Sequence, residues 1–135
     1  MLLLLAVCSI GLVLTVTAKQ PLQADAIMIG YQHHIYTEPN IDKQTIEALV
    51  EAYEDLPKTQ KIEATIDWDT AVTVTYIDDD QISATVVIDA RGVFQTKDGV
   101  STTEYDDDAR AFYMRALQLF EAVHRGDETF ICDAC

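Results

Sequence analysis

The chain has 135 residues, with 23 acidic against 9 basic side chains and a formal net charge of −14. That length suits one domain able to bury its own core. The charge excludes the basic clusters that nucleic-acid phosphates require, and it opposes contact with anionic lipid headgroups.

Residues Met1 to Ala18 carry no Asp, Glu, Lys or Arg, so the whole net charge lies on the chain from Lys19 onward. The run from Leu2 through Val16 has the length of a secretory h-region, and Val16-Thr17-Ala18 has the A-x-A spacing of a cleavage site before Lys19. No basic residue precedes the run. The same segment therefore also reads as an uncleaved anchor at the short end for a bilayer core. A lipoprotein reading of Leu5-Ala6-Val7-Cys8 ranks third, because Val7 stands where a lipobox has a small residue. The organisation expected is a signal peptide or anchor over 1–18, a linker over 19–25, one domain over 26–125 and a tail over 126–135.

Ala26 to Tyr31 is a short apolar run followed by Ile35 and Tyr36, which reads as a first strand. Asn40 or Asp42 then caps a helix in which Ile46, Leu49, Val50 and Tyr53 share a face, and Leu56-Pro57 ends it. From Lys61 the period changes to two. Ile62, Ala64, Ile66 and Trp68 alternate with polar residues, and Val72, Val74 and Tyr76 keep the phase. This is either one long bent strand or two strands turning at Asp69-Thr70. Asp78-Asp79-Asp80 reads as a solvated hairpin tip, after which Ile82, Ala84, Val86 and Ile88 alternate again. Arg91-Gly92 and Asp98-Gly99 mark the next turns.

The last element is a second amphipathic helix. Ala109, Phe112, Tyr113, Ala116, Leu117, Phe120 and Val123 form its stripe, Asp106 to Asp108 sit at its positive end, and Gly126 stops it. The fold class expected is α+β: a two-layer sandwich of an antiparallel meander sheet with both helices on one face.

Cys132-x-x-Cys135 is the one constellation with chemistry attached. A small disulfide is its first reading outside the cell, and half of a metal site or a redox pair its second. His33 and His34 are adjacent, so on a strand they face opposite ways and cannot share a metal, whereas in a loop they could. His124, at a helix end, needs no further role. These five residues are the candidate metal ligands. The Asp clusters lack the alternating spacing and central Gly of a calcium loop, and no phosphate loop, nucleophile elbow or zinc helix occurs. No cofactor is therefore expected. Trp68 and the tyrosines read as core. If the Thr-rich sheet face is uncovered, Thr65, Thr73, Thr75 and Thr85 form a flat polar surface for a partner or a second subunit.

The function expected is a non-enzymatic interaction domain outside the cytoplasm, secreted or membrane-tethered only by its leader, binding another protein of cationic character. The alternative is a metal-binding or thiol-redox accessory protein using Cys132 and Cys135. A small hydrolase is a third reading, resting only on plentiful carboxylates.

Overall fold

The computed structural model describes residues 21–57, 65–97, 99–101 and 106–126. The leader, the segment 58–64 and the cysteine tail lie outside them. Six strands and two helices succeed one another as β1 (Ala26–Tyr31), β2 (His34–Tyr36), α1 (Lys43–Glu54), β3 (Val72–Asp78), β4 (Gln81–Ile88), β5 (Phe94–Thr96), β6 (Gly99–Ser101) and α2 (Asp107–His124). The strands make one sheet in the order β2-β1-β3-β4-β5-β6, with neighbouring strands antiparallel. The chain is an α+β sandwich, as its periodicities imply. The meander runs from β3 to β6, while β1 lies beside β3, joined to it through β2 and the α1 crossover.

Both helices begin on an aspartate. The Asp42 carboxylate accepts from the Thr45 amide at 2.7 Å, and Asp106 accepts from Ala109 N at 2.9 Å. Bonds from the Thr45 hydroxyl and amide hold the Asp42 carboxyl below the usual carboxylate range. Gly126, at φ 71°, comes after the α2 cap and donates to the Val123 carbonyl, the left-handed stop its position implies.

One core lies between the sheet and the two helices. Ile27 and Ile29, Val72, Val74 and Tyr76, and Val86 and Ile88 supply its sheet side; Leu49, Tyr53, Phe112, Ala116 and Phe120 supply its helical side. Each large apolar side chain among them, fully buried, stabilises the fold by about 1.5–3 kcal/mol. The Tyr76 hydroxyl is a polar atom that this core must house, and it donates to the Leu49 carbonyl at 2.7 Å. Burial pushes the ionisation of that phenol far up, with the neighbouring Tyr53 and Glu54 adding to it.

Four local readings are corrected. The first strand is a hairpin: Tyr31 pairs with His34, and Gln32 turns the chain at φ 53°. The strand expected to reach Trp68 is not one. Residues 65–67 have no regular structure and 68–70 form a turn. The Asp67 carboxylate accepts from Asp69 N at 3.2 Å and the Asp67 carbonyl from Thr70 N at 3.2 Å. Such local bonds offer the backbone an alternative to a ladder. Next, β4 slips register opposite Tyr76 and Ile77, so that Ile77 faces Ile82 and the phase of the first residues of β4 reverses. Ile82 is consequently 69% exposed. Finally, Thr96 pairs with Gly99, so the β5–β6 turn falls one position earlier than Asp98-Gly99. The expected linker is also tied down. Leu22 N donates to Glu54 at 2.8 Å, Asp25 N to the Ile77 carbonyl, and Leu22 and Ala24 pack on the core.

The β3–β4 hairpin turns on Asp79 and Asp80, at φ 50° and 61°. Two positive values in succession are the backbone that Asn-Gly adopts most readily. Replacing the pair (Asp79→Asn with Asp80→Gly) is expected to raise stability by about 1 kcal/mol, relieving left-handed strain. A urea midpoint that does not rise would show that this turn stores none.

Candidate functional site

The side of the sheet opposite the helices carries Gly30, Thr73, Val87 and Gln95 in one cross-strand row and Met28, Thr75 and Thr85 in the next. The Thr85 hydroxyl lies 3.5 Å from that of Thr75. Gly30 pairs with Ile35, so Ile35 extends the first row at the β2 edge. A Cβ at Gly30 would come within 3.3 Å of the Ile35 side chain, so the strand here has room for glycine alone without displacement. Thr73, Thr75 and Thr85 therefore share one face, but Thr75 is buried in it, and of the three only Thr73 and Thr85 reach solvent. Thr65 does not belong to it. It precedes the Trp68 turn, outside any strand, and its carbonyl accepts from the Arg91 guanidinium at 2.8 Å.

Trp68 stands over this face. It lines a groove of about 240 Å³ with Met28, Gly30, Ile35, Thr73 and Thr75, and a wider groove of about 560 Å³ with Ile82, Thr85, Val87, Gln95 and Lys97. It is 63% exposed, and Ile35 is 71% exposed. The reading of Trp68 as core is thus overturned. The turn that carries it leaves the strand phase, and the indole borders both grooves instead of entering the core.

The loop beneath this exposed indole is fixed at many points. Ile66, Ala71 and Val93 form a small buried cluster, with Val87 packed against it. The Tyr113 hydroxyl on α2 donates to the Thr70 carbonyl at 2.8 Å, and desolvation pushes its ionisation up. The Thr70 hydroxyl accepts from Ala90 N at 3.1 Å. Asp89 does most of the fastening. Its carboxylate is fully buried and accepts from Asp67 N, Arg91 N, Val93 N and the Arg91 guanidinium, at 2.8–3.2 Å. In the sequence Asp89 reads as one more polar residue after Ile88. An Asp next to a Gly-containing turn is the only signal it gives.

A second cluster forms where the β1–β2 hairpin meets the end of α2. The His34 and His124 rings lie edge to face with centroids 4.8 Å apart. Phe120 stacks on His124 at 5.5 Å, and the Tyr36 hydroxyl bonds the His124 Nδ1. His33 is exposed in the hairpin turn. Of the five metal-ligand candidates, His34 and His124 are brought together; Cys132 and Cys135 lie outside the described residues. Among the described residues no group of three or more His, Cys, Asp or Glu is placed to hold a metal, and no helix is long and apolar enough to cross a membrane. Asp79 and Asp80 are exposed at their hairpin tip, and Asp107 and Asp108 are exposed in the first turn of α2. The chain matches no protein-family model, no curated protein and no solved structure.

Proposed function

We propose that this chain is a non-enzymatic binding domain acting outside the cytoplasm, secreted or tethered by its leader. Its docking surface is the open sheet face around Trp68, and its partner is a protein presenting Lys or Arg side chains. The observation that carries this is an indole 63% exposed on a turn that is itself pinned by Asp89, Tyr113 and a buried apolar cluster. Burying such an aromatic anchor returns a large share of an interface's free energy. The flanking Asp67 and Asp69, on a chain of net charge −14, supply the sign of the partner. A guanidinium or ammonium group over the indole face gains cation–π attraction as well as that of the carboxylates.

Trp68 is the only tryptophan, so its emission reports this face alone. Titration with an arginine-rich peptide is expected to shift that emission saturably, and a tenfold rise in ionic strength to weaken the binding. A glutamate-rich peptide is expected to leave it unchanged. Trp68→Ala should lower the calorimetric affinity at least about tenfold without moving the denaturation midpoint, and Asp69→Asn should lower it less. Equal affinity in Trp68→Ala, or binding indifferent to salt, would remove the reading.

A further inference from the structure

We propose that the notch above Gly30 is a specificity pocket. It takes one large apolar side chain of the partner, two residues along from the basic residue that lies on Trp68. The pocket belongs to the docking face proposed above and rests on that reading; it adds what the face selects. The recess has its cause in the sequence. In the cross-strand row of Ile35, Gly30, Thr73, Val87 and Gln95, Gly30 alone lacks a side chain. Ile35 walls the gap on the β2 side and Thr73 on the β3 side, while Met28 stands two residues along β1. Trp68 and Ala71 complete the lining. The groove holds about 240 Å³. An apolar cavity of about 150 Å³ takes a benzene molecule, so one side chain of leucine or phenylalanine size fits here.

The surroundings decide what enters. Among the described residues four large apolar side chains are exposed, and three of them, Ile35, Trp68 and Ile82, border this face. An apolar patch of this kind marks a macromolecular contact. A second copy of the chain is the wrong occupant, because two copies at −14 each repel. Asp67 and Asp69, both exposed next to Trp68 in the chain, favour a positively charged segment. The spacing follows from the sheet. Trp68 lines the first groove with residues of β1 and β3 and the second with residues of β4 and β5, so the indole lies over the seam between β3 and β4. That is about one and a half strand spacings from Gly30, roughly 7 Å. Side chains two places apart on an extended segment are separated by nearly as much, about 6.6 Å. A segment crossing the strands therefore seats a basic residue on the indole and an apolar one in the notch, and the residue between them faces away.

The test compares three short peptides of equal charge on the full chain, by calorimetry and Trp68 emission. Each carries two arginines four places apart. The first has glycine at every other position, the second has leucine midway between the arginines, and the third has leucine directly beside one of them. The second should bind at least about tenfold more tightly than the first, and the third no better than the first. In Gly30→Val the new side chain fills the notch and displaces only the exposed Ile35, so the ratio of the first two affinities should fall to near one. Ile35→Ala removes a wall that is 71% exposed, so the fold survives and the ratio should fall there too. Met114→Ala, an exposed apolar position on α2, should keep the full ratio. Equal binding of the first two peptides, with Trp68→Ala weakening both, would overturn the pocket and leave the cationic partner standing. Failure of every peptide to bind would remove that partner and the pocket with it. An indole shielded from acrylamide in the free chain would put a segment of this chain in the groove and overturn the proposal. A mass that doubles with concentration and reverts in Ile35→Ala would put a second copy there, with the same consequence.

Discussion

Replacing Asp89 with alanine is expected to remove about 3–5 kcal/mol of folding stability, because it deletes a fully buried carboxylate that accepts four hydrogen bonds. The Arg91 guanidinium, which meets the Asp89 carboxylate at 2.8 Å, keeps the Thr65 carbonyl and access to water. The amides of Asp67, Arg91 and Val93 lose their acceptor in the same step, and a buried donor left unsatisfied costs about 1–3 kcal/mol. Domains of this size are stable by only about 5–15 kcal/mol. The urea midpoint should therefore fall far, with the slope of the transition unchanged. Asp89→Asn keeps the shape but points an amide NH2 group at a set of donors, so it should recover only a minor part. Either variant should also alter Trp68 emission in the folded protein, because the Asp67 amide is held from Asp89. A loss under about 1 kcal/mol would show that water takes over the bonds of the carboxylate.

The second large effect is expected at Gly92. Its φ is 85°, and a Cβ there would stand 3.2 Å from the Ala109 Cβ and 3.3 Å from the Arg110 Cγ. Gly92→Ala thus combines backbone strain of about 1–3 kcal/mol with crowding against the first turn of α2, for a total of about 2–4 kcal/mol. The two parts separate experimentally. Adding Ala109→Gly opens the contact and leaves the backbone strain, so the double variant should regain part of the loss, less about 1 kcal/mol for glycine in a helix. Additive losses in the double variant would mean that the turn and helix do not touch as described. Gly92 and Asp89 share one turn, and the Gly92 amide donates to the Asp89 carbonyl at 2.9 Å. One short turn therefore seats α2 on one side and the Trp68 loop on the other.

The helices and the inner strands were legible because local pattern and final environment agree there. Ile46, Leu49 and Tyr53, and Phe112, Ala116 and Phe120, repeat at helical spacing behind aspartate caps, and all are buried. Val72, Val74 and Tyr76 alternate at period two and are buried likewise. Trp68 failed because Ile66 and Trp68 continue the same alternation, while the turn at Asp67 that ends it is also held by bonds to Asp89 and Tyr113, far off in the chain. The Ile82 error has the same root, since a register slip against β3 leaves no mark in β4 alone. Of the four threonines, three were placed on one face by counting in twos from Val72 and Ile88, though Thr75 is buried there. Thr65 was lost with the strand that was to carry it. The meeting of His34 and His124 depends on which end of α2 lies over the first hairpin, and no periodicity encodes that.

The shortness of β2 limits how anything can attach to this sheet. An incoming extended segment at that border would meet only the backbone of His34 to Tyr36 before the chain bends away toward Pro39. Two or three main-chain bonds, at about 0.5–1.5 kcal/mol each, do not repay the ordering of a free strand. Growth by strand addition, the route to runaway stacking of sheet proteins, is thereby discouraged at that border. At that border the recognition proposed above is left to arrive broadside, across the pleats, where side chains and not peptide groups choose the partner.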